Sequence, residues 1–265
     1  MPNLKIRPSG TSGRIVHITP KSAGWTYVGF DLHRLAPGEK VAAKTGDREI
    51  CLVLVTGKAR FIAGGKDFGI LGERMTPFEG LPWSVYVPAG SDYTVEAVGP
   101  AELGICSAPG KPSARLARVI GPNDNSQEVR GKSTNTRYVT NILPETADAD
   151  SLLVVEVITP GGHSSSYPPH KHDQDDFPRE TFLEETYYHR IDPPQGFAFQ
   201  RVYTDDRSLD ESMAVEDGDV TLVPKGYHPC AATHGYKLYY LNVMAGPKRA
   251  WRFHNAEEHA WLLKT

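Results

Sequence analysis

Glycine and proline recur along the whole chain, 25 and 21 times in 265 residues, and cut it into apolar runs too brief for long helices. Between these breaks, β-branched and aromatic residues gather at 49–56, 84–87, 152–158, 185–191, 197–203, 220–223 and 236–243. Such side chains suit a pleated, half-buried surface. A helical pattern is expected only in short pieces, such as 255–263. The expected class is all-β, a sandwich or barrel.

With 39% hydrophobic and 23% charged residues, the chain can bury a core and lacks the composition of a disordered segment. A net charge of −3 provides no basic stripe to follow a phosphate backbone, so nucleic acid is not an expected partner. No apolar run approaches the roughly 20 residues of a membrane span. The opening MPNLKIRPSG also lacks the apolar section of a secretory leader, so the expected location is cytoplasmic. Cys51, Cys106 and Cys230 are odd in number and unpatterned, which argues against a disulfide framework and against a cysteine-ligated zinc. They read as inert core thiols, although Cys230 lies two residues beyond His228 and could line the same cavity.

From about 121 to 136 the sequence (GPNDNSQEVRGKSTNT) turns polar and turn-rich, as a segment joining two compact units would. The expected division is therefore 1–125 and 126–265. A repeat supports two copies of one fold. Val87-Pro-Ala-Gly-Ser-Asp92 matches Val223-Pro-Lys-Gly-Tyr-His228, 136 residues further on, and the run opening at Glu49 lies 136 residues before the one opening at Glu185. Ala36-Pro-Gly38 resembles Thr159-Pro-Gly161 in the same order.

The chemistry is concentrated in Tyr167-Pro-Pro-His170-Lys-His172-Asp173. On an extended segment His170 and His172 face the same way, close enough to share a cation, and Pro168 and Pro169 favour that extension. An isolated His-x-His is commonly a pair of solvated surface residues. A metal site needs further donors from neighbouring strands, and Glu185 and His228 supply them in order. Adjacent Glu184 competes for the carboxylate role but faces the opposite way by pleat. His163, His189 and His234 are not needed as ligands and read as supporting residues.

This order, His-x-His, then Glu, then a His after a Pro-x-Gly turn, resembles the cupin superfamily of small jelly-roll barrels. More specifically, SSSYPPHKHD (164–173), LEETYYHR (183–190), GFAFQRVYT (196–204), VPKGYHP (223–229) and YYLNVMAGPKRAW (239–251), with RGKSTNTR (130–137) upstream, resemble the 5-deoxy-glucuronate isomerases of myo-inositol catabolism. That family is a bicupin one related to 5-keto-4-deoxyuronate isomerase, and the likeness extends over nearly the whole chain. It implies two tandem cupin domains, the first degenerate and without metal, since Asp92 stands where the second has His228. It also implies one divalent metal held by His170, His172, Glu185 and His228, with zinc expected and manganese, iron, nickel or cobalt compatible with the same donors. The 12 residues between His172 and Glu185 far exceed the few of the usual cupin motif.

The implied reaction turns an aldose acid, 5-deoxy-D-glucuronate, into a ketose acid, 5-dehydro-2-deoxy-D-gluconate. A proton shuttle would fall to Glu185 or Tyr187, while a hydride shift would give the same product. For the substrate carboxylate, Arg201 is the expected partner, with Lys171 and Arg190 behind it. Gln200 points the opposite way from Arg201 on a regular strand, so at most one of them should line the cavity. The implied partners are a small sugar acid and, through sheet edges, a second copy as a homodimer, with no membrane. Two other functions fit a cupin: a dioxygenase, which would need oxygen, and a non-catalytic sugar-acid-binding protein.

Overall fold

Each of the seven β-rich runs forms a strand within two residues of its expected bounds: Arg48–Thr56, Trp83–Val87, Leu153–Thr159, Glu184–Asp192, Phe197–Tyr203, Val220–Val223 and Lys237–Ala245. The structure is a computed structural model that describes residues 3–264. The helical pattern near the end becomes a 3-10 helix, Glu257–Lys264, with no buried residue. One short α-helix, Pro20–Ala23, escapes a reading by composition; Thr19 caps it by accepting the Ser22 N–H while the Ser22 hydroxyl answers the Thr19 N–H. Among the described residues no helix is long and apolar enough to cross a membrane.

The chain divides into two compact units. One comprises Met1–Arg7, Gln127–Thr140 and Val155–Thr265, the other Pro8–Ser126 and Asn141–Val154. The chain thus passes between units at 7/8, 126/127, 140/141 and 154/155, where a single division at 125/126 was the expectation. The extra crossings have a physical reason, because short segments complete sheets far from their neighbours in sequence. Lys5–Ile6 pairs antiparallel with Val220–Val223, Lys5 opposite Thr221. Residues 150–152 return to Glu49, whose carboxylate accepts the N–H groups of Asp150, Ser151 and Leu152 at 2.7, 2.6 and 2.6 Å.

The unit of Pro8–Ser126 has a six-stranded sheet in the order Arg118–Ile120, Trp83–Val87, Arg48–Thr56, Ala101–Pro109, Gly29–Leu35 and Gly13–Ile18. A four-stranded sheet, Lys40–Lys44, Asp92–Ala97, Ala59–Ala63 and Lys66–Leu71, belongs to the same unit. Leu52, Leu54, Phe61, Val85, Val95 and Leu103 form its core. At about 1.5–3 kcal/mol for each such side chain fully buried, this cluster is the main source of the unit's stability.

In the other unit, the larger sheet places Glu184–Asp192 between Val220–Val223 and Lys237–Ala245. Arg48–Thr56 occupies the same place between Trp83–Val87 and Ala101–Pro109. The strands bearing Glu49 and Glu185 are therefore equivalent in topology as well as in sequence spacing. A four-stranded sheet runs Ser164–Ser165, Cys230–Ala232, Phe197–Tyr203 and Asp210–Glu216, and a short pair joins His170–Lys171 to His254–Asn255.

Candidate metal centre

Three elements of the unit containing Val155–Thr265 bring His172, Glu185 and His228 together, and donor atoms of all three lie within 4.8 Å of one another. Each is at most 2% exposed. Glu185 enters from the start of its strand, and His172 from just beyond the His170–Lys171 strand. His228 follows a turn at Gly226, whose φ is +89°; a Cβ there would fall 2.4 Å from the Tyr203 carbonyl oxygen, so the turn requires glycine.

The hydrogen bonds define what this space can hold. His172 Nδ1 lies 3.0 Å from the Leu183 carbonyl oxygen, and His228 Nδ1 lies 2.9 Å from that of Gly226. A carbonyl only accepts, so each Nδ1 carries the hydrogen and each Nε2 presents its other face to the cluster. Both Nε2 atoms meet Glu185 Oε2, at 3.1 and 3.2 Å. His228 Nε2 is buried and makes no hydrogen bond. Two imidazole nitrogens and a carboxylate converging in a buried space call for a cation, and an N,N,O donor set suits a first-row divalent metal.

Burial favours the neutral form of two of the three imidazoles. Burial, followed by the neighbouring His228 and His172, pushes the His170 pKa well below its ordinary value. Burial pushes His228 down to about 4. For His172, burial works against the charged form, but the hydrogen bond and charge of Glu185 outweigh it and raise the pKa. His170 stands at the rim, its ring 4.9 Å from that of His228, 6.3 Å from that of His172 and 4.6 Å from Phe253.

The acidic insertion after His172 supports the ligands. Lys171 Nζ pairs with Asp173 at 2.7 Å and Glu180 at 3.1 Å, while Glu180 also accepts the N–H groups of Asp173 and Gln174. Asp173 accepts the Gly226 N–H at 2.9 Å, which ties the His170–His172 segment to the turn before His228. Lys171 is thus committed away from the cluster, contrary to the expectation that it meets substrate. The pleat explains this, since the residue between two same-facing histidines faces the other way.

Arg201 is corrected in the same manner. It lies on the outer face of the Phe197–Tyr203 strand, its side chain 45% exposed, paired with Asp210 at 2.6 Å. Gln200 faces inward, but as a support: its Oε1 is 3.0 Å from His189 Nε2 and its Nε2 donates to the His228 carbonyl at 3.4 Å. Glu184, although buried, does not join the cluster. Tyr187 shares the Glu185 face, its ring 5.8 Å from that of His228 and its hydroxyl 3.0 Å from Ser166 Oγ. Burial raises its phenol pKa well above the ordinary value. Cys230 is buried nearby and stays a thiol, with its pKa pushed up to about 12.

A cavity of about 550 Å³ opens beside the cluster, walled by Arg130, Lys132, Asn135, Arg137, His170 and Phe253 among others. A smaller chamber of about 20 Å³ shares Arg130, Arg137 and His170 and reaches Glu185, Tyr187 and Tyr240. Arg130, Arg137 and Tyr240 are absent from the sequence-based site. The available signal was two arginines framing a polar run, RGKSTNTR, which otherwise reads as a linker.

The chain is similar to known proteins along nearly its whole length. The chain is 55% identical over 254 residues to the 5-deoxy-glucuronate isomerase of Geobacillus kaustophilus, covering 96% of this chain and 92% of that one. It is 47% identical to the enzyme of the same name from Bacillus subtilis strain 168, covering 95% and 93%. The crystal structure of an IolB-like protein from Salmonella typhimurium superposes with a TM-score of 0.97 at 53% identity, covering 98% of this chain and 99% of that one. Oxalate decarboxylase from Lactobacillus farciminis matches with a TM-score of 0.68 at 14% identity, covering 99% and 90%, a likeness of fold alone. The fold is accordingly the tandem cupin expected from the sequence. With residues 4–262 matched from end to end, the chain belongs to the KduI/IolB family.

Proposed function

We propose that this chain is an aldose–ketose isomerase that converts 5-deoxy-D-glucuronate to 5-dehydro-2-deoxy-D-gluconate in myo-inositol catabolism. Its divalent metal, zinc in the first instance, is held by His172, Glu185 and His228 with His170 at the rim. The observation that carries the metal is the pair of Nδ1–H donations to main-chain oxygens, which turns two Nε2 atoms onto one carboxylate. A bound divalent cation supplies Lewis-acid stabilisation of the negative charge that develops on the substrate oxygens.

The remaining steps fall to the chain's own side chains. The Glu185 carboxylate accepts the proton leaving C2 of the aldose, exchanges it with solvent and delivers a proton to C1, while the O2 hydroxyl proton passes to O1, so that C1 becomes the CH2OH and C2 the ketone. Tyr187, kept protonated by its burial and anchored by Ser166, donates a hydrogen bond at the same face.

Purified protein should contain about one divalent metal per chain and form the keto acid under nitrogen, followed by NMR. A requirement for oxygen would replace the isomerase with a dioxygenase. The double substitution His170→Ala, His172→Ala should remove metal and turnover while the fold persists; normal isomerisation by that variant would sink the metal assignment. In D2O, the proton route places deuterium on the new CH2OH carbon. Full retention of substrate hydrogen there would show a hydride shift instead.

A further inference from the structure

The outer cavity walls carry Arg130, Lys132 and Arg137 but no acidic side chain among the described residues, in a chain of net charge −3. Cationic walls without carboxylates favour an anionic ligand. The three cations differ in what already holds them. Arg130 pairs with Glu128 at 2.7 Å and lies over the Trp251 ring. Lys132 is exposed on a turn. Arg137 has no carboxylate partner among the described residues; its Nη1 donates to the main-chain oxygen of Asn135 at 3.1 Å and to its Oδ1 at 3.2 Å.

Arg137 is also half-buried, and that burial pulls its pKa below the usual guanidinium value. A desolvated cation without a counter-charge is costly, and an anion entering the cavity offsets that cost. Its position is fixed before any ligand arrives. Gly131, at φ +80°, packs so closely that a Cβ would fall 2.0 Å from the Asn135 oxygen. Asn135 Nδ2 donates to the Tyr167 oxygen at 2.9 Å, and His163 Nδ1 donates to that of Thr136 at 3.0 Å. Arg137 lines both cavities, the outer space and the chamber that reaches Glu185 and Tyr187.

We propose that Arg137 is the residue that receives the carboxylate of the sugar acid, directing its carbonyl end toward His172, Glu185 and His228. This rests on the isomerase activity proposed above. The guanidinium fork offers Nε and Nη2 as paired donors to a planar carboxylate, a match that a lysine cannot reproduce.

The test uses the full-length, metal-loaded protein with Arg137→Gln and Arg137→Lys. Each is assayed on 5-deoxy-glucuronate and on 5-deoxy-glucose, whose terminal carbon carries an alcohol. Arg137→Gln should lower kcat/KM for the acid by about 100-fold, mainly through KM, and remove the preference for the acid. Arg137→Lys should recover part of the loss. If both sugars lose activity in parallel, with the preference intact, Arg137 is structural and the proposal is overturned. Calorimetric binding of 5-deoxy-glucuronate separates this from failure of the isomerase reading. Should the wild type bind but not convert it, the reaction falls, and a drop in affinity of about 100-fold in Arg137→Gln still upholds the carboxylate assignment. Absent binding, or affinity unchanged by the substitution, overturns it.

Discussion

At the scale of single residues, the centre depends on which nitrogen of each histidine is already used. His172 and His228 spend Nδ1 on main-chain oxygens, and this leaves Nε2 for a cation. His189 illustrates a different burial. Stacked on Tyr187 at 5.9 Å, with Nε2 beside Gln200 and Thr221 and Nδ1 unpartnered, it has its pKa pushed down to about 4 by burial. The unfolded chain therefore takes up this proton first as pH falls. The stability due to neutral His189 is full above about pH 6.5 and is lost toward pH 4, a change of about 3 kcal/mol. Thermal melts of wild type and His189→Gln between pH 8 and pH 4 should show their Tm difference narrowing as the acid limb is entered. A pH-independent difference would contradict a buried neutral imidazole. That His172, Glu185 and His228 share one buried cluster was legible because a local spacing and a strand opening mark them, whereas the same spacing did not show that His170 stands outside that cluster. The roles of Lys171, Gln200 and Arg201 were not, because alternation shows which neighbours oppose each other and leaves open which face meets the cavity.

At the scale of elements, the two equivalent glutamates have gone separate ways. Glu185 faces imidazoles, whereas Glu49, wholly buried, accepts the Tyr86 hydroxyl at 2.7 Å and three consecutive main-chain N–H groups. Its carboxylate fastens residues 150–152 to the Arg48–Thr56 strand. Glu49→Ala orphans these donors and should cost about 3 kcal/mol in urea unfolding, with kcat per folded molecule unchanged. A stability loss below about 1 kcal/mol would show that water replaces the carboxylate without penalty. In the other unit, the Lys171, Asp173 and Glu180 network clamps the His170–His172 segment to the Gly226 turn. Lys171→Met leaves two buried carboxylates unpaired and should weaken metal affinity about 10- to 100-fold in chelator competition. Unchanged affinity would mean the strands alone position the ligands. The strands themselves were readable from β-branched runs between glycine and proline breaks. The RGKSTNTR segment was not, since its polarity describes a linker equally well, and only its landing beside His170 makes Arg137 part of a cavity.

At the scale of the whole molecule, a duplicated chain need not be divisible at the duplication. The 136-residue repeat gives two equivalent sheets, yet residues 1–7 belong with the later copy and 141–154 with the earlier one. Such exchanges are invisible to a linear search, because composition reports what a segment is made of and says little about which distant edge it covers. The consequence is testable at the beginning of the chain. Leu4, 4% exposed, accepts the Leu222 N–H at 2.8 Å through its carbonyl, and Lys5 Nζ donates to the Ala214 oxygen at 2.8 Å. Lys5–Ile6 also covers one edge of Val220–Val223, the strand that leads into the turn of His228. Removing residues 1–7 uncovers that edge and gives up one buried leucine with several hydrogen bonds, together about 3–5 kcal/mol. The loss should fall on the metal-holding unit, although the deletion lies more than 160 residues before His170. The shortened protein should release its metal at a lower temperature than the full chain, ahead of the melting of the Pro8–Ser126 unit. Coincident metal release in the two proteins would show that the first strand contributes nothing to holding the centre.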